Sequence, residues 1–168
     1  MNARKSRDST LRPGTLPGEL GTKTWLTSQT AANLVYLNRG RLEEVKRAAD
    51  FLLHHRDENG AYQGLTIATW VYIPLFSFLQ GRGSETVRKC LEHAEKWVEK
   101  ETDPSFLVWY LECLTSAGFS LSHPIASICL EKLISLQRED GSFSSADGDR
   151  YVVPTTIRAA RFLKLYVR

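Results

Sequence analysis

Apolar and polar positions along this chain alternate on two scales. Segments 24–38 and 65–80 contain no charged residue and 104–117 contains only Glu112, whereas 41–56 carries seven charges and 84–100 carries eight. Inside the charged segments the apolar residues fall at steps of three and four, as in Val87, Leu91, Ala94 and Val98. That period predicts helices with one buried and one solvated face. The nearly uncharged stretches predict helices covered on all sides. Apolar helices are expected near Thr24, Leu65, Pro104 and Val153, and amphipathic ones near Arg41, Ser84 and Ser122, about 40 residues apart within each class. Two concentric layers require this order, with inner helices touched all round and outer ones wet on one face. A plain antiparallel bundle would instead make every helix amphipathic.

Cap residues agree with these boundaries. Ser84 and Ser122 are suitable N-caps, and Asp103-Pro104 places a cap before a proline at the first helical position. Gly40, Gly81 and Gly118 fall where the helices should end. Residues 1–22, polar and broken by Pro13, Pro17 and three glycines, read as a disordered N-terminal arm ahead of a helical domain spanning 23–168. No apolar run follows Arg4, Lys5 and Arg7, so no secretory signal is expected. The charge-free stretch from Asn59 to Gly81 has the length of a membrane span. Its Thr66, Thr69, Pro74 and Ser77, and the turn-like Asn59-Gly60, favour a helix buried in protein, and no transmembrane span is expected.

One segment carries more information than its periodicity. Residues 133–143 read Leu-Ile-Ser-Leu-Gln-Arg-Glu-Asp-Gly-Ser-Phe, and a Thr-containing helix starts at Val153. Gly141 suits a positive-φ turn, Phe143 can fold its ring back on the helix just ended, and Gln137 can bond loop backbone left open there. A degenerate copy lies 81 residues earlier: Gly60 aligns with Gly141, Asn59 with Asp140 and Tyr62 with Phe143. The stretch 133–163 resembles the repeat of terpene cyclases and protein prenyltransferases (the squalene cyclase-like group). In that repeat an outer helix ends in L-x-x-Q-x-x-D-G-S-F/W, and a later Thr opens an inner helix. The resemblance, spanning roughly 24–168, implies an all-α, α/α-toroid fold in which Gln137, Asp140, Gly141, Phe143, Gly60 and Tyr62 are structural repeat residues. The chain supplies about three and a half hairpins, an incomplete barrel. It then closes as a homodimer, closes with a second toroid-type chain, or stays an open arc.

The family's chemistry is harder to place. With Thr156 set on the motif Thr, Val152-Val153-Pro154-Thr155 occupies the place of the cyclases' D-x-D-D general acid. No D-x-C pair exists for a prenyltransferase zinc site, and His54, His55, His93 and His123 all lie on or beside amphipathic helices. No metal site and no cofactor is evident. Asp147 and Asp149 are the nearest carboxylates; they would hold Mg²⁺ only with a diphosphate ligand, and a polar turn around Gly148 is the plainer reading of them. Trp70, Tyr72, Phe76, Trp109 and Tyr110 are candidates to line a cavity for an isoprenoid-like ligand, although aromatics also fill cores. Arg158, Arg161 and Lys164 form a basic ridge on the last helix.

Composition narrows the classes. With 168 residues, 42% of them hydrophobic, the chain can form one core without disulfides. A net charge of +3 lacks the concentrated basic face of a nucleic-acid binder. Cys90, Cys113 and Cys129, with no CxxC pair, read as reduced core residues of a cytoplasmic protein. Three functions stay open: an isoprenoid-binding toroid without its own general acid, a non-catalytic protein-interaction module on a toroid arc, and a carbohydrate-active α/α-barrel lyase or hydrolase. The last lacks paired carboxylates, since Glu112 is the one acid of the charge-poor segments.

Overall fold

A computed structural model describes residues 19–56 and 66–166. Among them are seven α-helices: α1 (Glu19–Tyr36), α2 (Glu43–His54), α3 (Thr66–Gln80), α4 (Glu85–Val98), α5 (Pro104–Ser116), α6 (Pro124–Ser135) and α7 (Val152–Tyr166). No strand appears among the described residues, and the fold is all-α. α1, α3, α5 and α7 pack side by side in that order, while α2, α4 and α6 lie against α1, α3 and α5 respectively. α4 also meets α6, and α6 meets α7. α1, α3, α5 and α7 therefore form one layer and α2, α4 and α6 a second; charge separates the layers over the first five helices but not the last two, since α7 carries Arg158, Arg161 and Lys164 and α6 only Glu131 and Lys132. No helix among the described residues is long and apolar enough to cross a membrane.

The core lies between the layers. From α3 it takes Trp70, Ile73, Leu75 and Phe76, from α4 Val87, Cys90, Ala94 and Val98, and from α5 Leu107, Tyr110, Leu111 and Leu114, all at most 1% exposed. Trp70 stands 4.0 Å from Trp97 of α4 and 5.7 Å from Tyr110, ring centre to ring centre. Sealing such a side chain contributes roughly 1.5–3 kcal/mol. The opposite face of α4 is wet and carries the ion pairs Arg88–Glu92 and Lys89–Glu85, the latter at 3.0 Å.

Several helix ends follow the local chemistry of the sequence. Ser84 accepts a hydrogen bond from the Val87 amide, and Asp103 accepts one from the Ser105 amide at 2.8 Å. Gly118 (φ 82°) closes α5 with bonds from its own amide to Thr115 O and from Phe119 N to Leu114 O, both 3.0 Å. Three expectations shift. α6 starts at Pro124 with His123 at the cap and no side-chain cap bond, because proline at the first position needs no amide partner; Ser122 is one residue too early. Asn38 (φ 58°), not Gly40, takes the left-handed position after α1, with Arg39 N bonded to Leu34 O at 2.7 Å. Gly40 meets the Phe78 ring instead, and a β-carbon there would come within 2.5 Å of it. α1 begins at Glu19, inside the stretch expected as the arm, since the helix accommodates Gly21, whose carbonyl accepts from Thr24 Oγ1 at 2.9 Å. Residues 1–18 lie outside the described residues.

Lys132 of α6 fixes the register of the outer layer. Its ammonium donates to the carbonyls of Val98, Glu99 and Glu101 at 2.6, 2.7 and 2.9 Å, capping the C-terminal end of α4.

The turn after α6 has the geometry its sequence suggested. Gly141 sits at φ 82°, Gln137 Nε2 donates to Gly141 O at 3.0 Å, and Asp140 Oδ1 accepts from the amide and hydroxyl of Ser142 at 2.9 and 2.6 Å. Those two bonds hold the Asp140 carboxyl below its usual range. Phe143 is 1% exposed, and its amide donates to Thr156 Oγ1 at 2.9 Å, tying the turn to the first turns of α7. Gly60 and Tyr62, the earlier copy, lie outside the described residues.

Candidate functional site

On the side of the inner helices away from the outer layer, α1, α3, α5 and α7 together line an open groove of about 610 Å³. Its wall mixes polar residues with an apolar patch. α1 contributes Gln29, Asn33 and Tyr36 at helical steps of four and three, and α3 contributes Val71 and Pro74 to the floor. α5 turns Trp109, Glu112 and Ser116 toward the groove, and α7 supplies Arg158, Arg161, Phe162 and Leu165.

Two polar ties cross the groove. Arg158 Nε and Nη2 donate to Glu112 Oε1 and Oε2 at 2.7 and 2.5 Å, a two-pronged pair joining α7 to α5 with both side chains 35% exposed. The bond to Glu112 raises the Arg158 pKa, against the opposing effect of partial burial. Tyr36 OH donates to Ser116 Oγ, joining α1 to α5, and Ser116 Oγ donates onward to Cys113 O at 2.9 Å. Partial burial raises the Tyr36 pKa more than the bond to Ser116 lowers it. Arg161 has no ion-pair partner among the described residues and is exposed beside the groove's apolar patch of Trp109, Phe162 and Leu165.

The aromatic candidates separate. Trp109 lines the groove, while Trp70, Tyr72, Phe76 and Tyr110 are at most 1% exposed within the core and line no part of it. Large apolar rings gain most where no water remains, and on these helices that is the side facing the outer layer. Trp70 and Trp109, equivalent in the repeat pattern, touch edge to face at 6.0 Å but look in different directions. Asp147 and Asp149 stand exposed in a turn in which Gly148 (φ 96°) donates to Ser145 O at 3.0 Å, and neither reaches the groove. No cluster of three or more His, Cys, Asp or Glu fit to hold a metal occurs among the described residues. Cys90, Cys113 and Cys129 are free and buried, and burial pushes the Cys90 and Cys129 thiols up to about 12.

The basic ridge divides as well. Arg158 is half-buried and paired, Arg161 flanks the groove, and Lys164 is exposed and does not line it. Sequence reasoning did not single out the α1 wall. Its signal was the row Gln29, Asn33, Tyr36 in a helix otherwise short of polar groups.

No family model, curated protein or solved structure matches this chain.

Proposed function

We propose that the chain is a non-catalytic interaction module whose inner-face groove holds an extended acidic segment of a partner protein. One observation carries this reading: the groove's single carboxylate, Glu112, is already engaged by Arg158, which leaves Arg161 as an uncompensated cation beside an apolar patch. A carboxylate flanked by apolar residues fits that arrangement, with Arg161 supplying attraction and Trp109, Phe162 and Leu165 the buried contact. Acid–base chemistry has little to work with, because both Glu112 oxygens are occupied by guanidinium donors.

A second reading, an isoprenoid-like ligand, is favoured by the sequence of the turn at 137–143, which resembles the repeat of the terpene-cyclase group and is held by Gln137 and Thr156. The openness and polarity of the groove weigh against it, since such a ligand wants an enclosed apolar wall.

Selection from a random-peptide display library tests the first reading. Enriched peptides should combine Asp or Glu with apolar residues, and Arg161→Glu should weaken them about tenfold or more. Enrichment without acidic residues, or binding indifferent to Arg161→Glu, would overturn it. Binding of farnesyl diphosphate with quenching of tryptophan fluorescence would favour the second.

A further inference from the structure

The two ends of the inner layer are unfinished in complementary ways. α3 and α5 each have an inner helix packed on both sides, whereas among the described residues α1 packs mainly on α3, with the Tyr36–Ser116 bond reaching α5, and α7 packs mainly on α5. The free side of α7 is a ridge of Val153, Ile157 and Ala160, at steps of four and three; Val153 is 65% and Ile157 58% exposed. The free side of α1 is a shallow apolar groove of about 300 Å³ shared with α2, lined by Leu26, Thr30, Leu34 and Ala48, with Leu26 53% exposed. One end is thus a ridge and the other a furrow.

Charge fixes the direction in which they meet. α1 and α5 end together, since Tyr36 bonds Ser116, and α7 starts where α6 has run back along α5, since Phe143 bonds Thr156. The inner helices therefore run parallel. A second copy of α7 laid parallel to α1 brings its C-terminal Lys164 to Glu44, which rims the furrow with Leu34 and which its own Arg47 approaches on the exposed face of α2 at 3.6 Å. The same alignment brings Asp147 and Asp149, just before α7, toward Lys23 near the start of α1. The antiparallel alignment sets Lys164 against Lys23. From residue 150 to 168 the chain has five Arg or Lys and no acid; Arg158 is paired with Glu112, and Lys164 has no ion pair among the described residues.

We propose that this chain associates head to tail with copies of itself, the α7 ridge of one copy entering the α1/α2 furrow of the next, so that the inner layer continues across the joint as it does from α5 to α7. The contact is heterologous: two copies form either a closed ring with two such joints or the start of a longer assembly. This rests on the ends of the arc and is independent of what the groove binds.

Light scattering behind a sizing column reads the outcome on the full chain. The wild-type mass should rise with concentration to at least twice the 19.0 kDa of one chain. Ile157→Asp, which spoils the ridge, and Leu26→Asp, which spoils the furrow, should each reduce it to one chain; both positions are exposed, so circular dichroism should show an unchanged helix content. Mixing the two variants should restore association but stop at two chains, because one intact ridge and one intact furrow remain. A wild-type chain that is monomeric at every concentration overturns the proposal, leaving the edges to a different partner. A mixture that stays monomeric also overturns it, because a dimer joining like faces cannot be rescued in this way.

Discussion

Tyr110 and Trp109 are neighbours on α5, yet Tyr110 is sealed beside Trp70 and Trp97 while Trp109 reaches the inner-face groove. The same divide runs along the whole inner layer. Toward the outer helices it presents large rings and branched aliphatics; toward the groove it presents Gln29, Asn33, Glu112 and Ser116. On α3 and α5, Trp70, Tyr72, Phe76 and Tyr110 thus mark the interior between layers, while Trp109 does not. The groove is marked by the few polar residues that the inner helices retain.

The largest expected effect separates the two sides directly. Trp70→Ala should lose roughly 3–5 kcal/mol in urea denaturation, because the ring leaves a void that rigid neighbours cannot fill. Trp109→Ala should lose less than half of that, since its side of α5 is open. Equal losses would erase the distinction between core and groove.

The thiols sharpen the same contrast through pH. Cys90 and Cys129 have their pKa raised from 9.0 to about 12 by burial, and Cys113 is raised further. In the unfolded chain these groups ionise near 9, so their contribution to stability is complete below about pH 9 and lost as pH rises toward 12. Urea midpoints should therefore fall across that window, and the fall should shrink when Cys90 and Cys129 are replaced by Ala. An undiminished fall would assign the effect elsewhere. Below pH 9, iodoacetamide should label the native thiols at least about a hundredfold more slowly than the unfolded ones.

Lys132→Met should cost about 1–2 kcal/mol, because three carbonyls at the end of α4 lose their donor while the apolar stem is kept. Differential scanning calorimetry would show the lowered Tm. The smallest effect belongs to the groove. A double-mutant cycle on Glu112→Ala and Arg158→Ala should give a coupling of about 1 kcal/mol or less, since both side chains are 35% exposed and solvent screens the pair. A coupling of several kcal/mol would mean that the groove is drier than its openness implies.

Much of the fold was legible because its determinants are local. Charge-free against charge-rich segments marked the two layers from α1 to α5 though not at α6 and α7, and Ser84, Asp103-Pro104, Gly81 and Gly118 marked helix ends through backbone chemistry within a few residues. The misplaced boundaries have equally local competitors: Pro124 overrode Ser122, and Asn38 took the turn assigned to Gly40. The groove was less legible. A helix without charges gives no sign of which face will be wet, so Trp70, Tyr72, Phe76 and Tyr110 could not be told from Trp109. Glu112 and Arg158 stand 46 residues apart, and Tyr36 and Ser116 stand 80 apart; nothing in either local pattern announces the other member. The Lys132 cap, more than 30 residues from the carbonyls it serves, was hidden for the same reason.

The proposed binding surface is the groove on the inner helices, on the side away from α2, α4 and α6. Amide chemical-shift mapping with a selected acidic peptide tests it most directly. Perturbations should gather on Asn33, Trp109, Glu112 and Arg161, including the Trp109 indole signal, and leave the solvated face of α4 unmoved. Shifts confined to the outer helices, or to Val153 and Ile157 at the edge of α7, would contradict it.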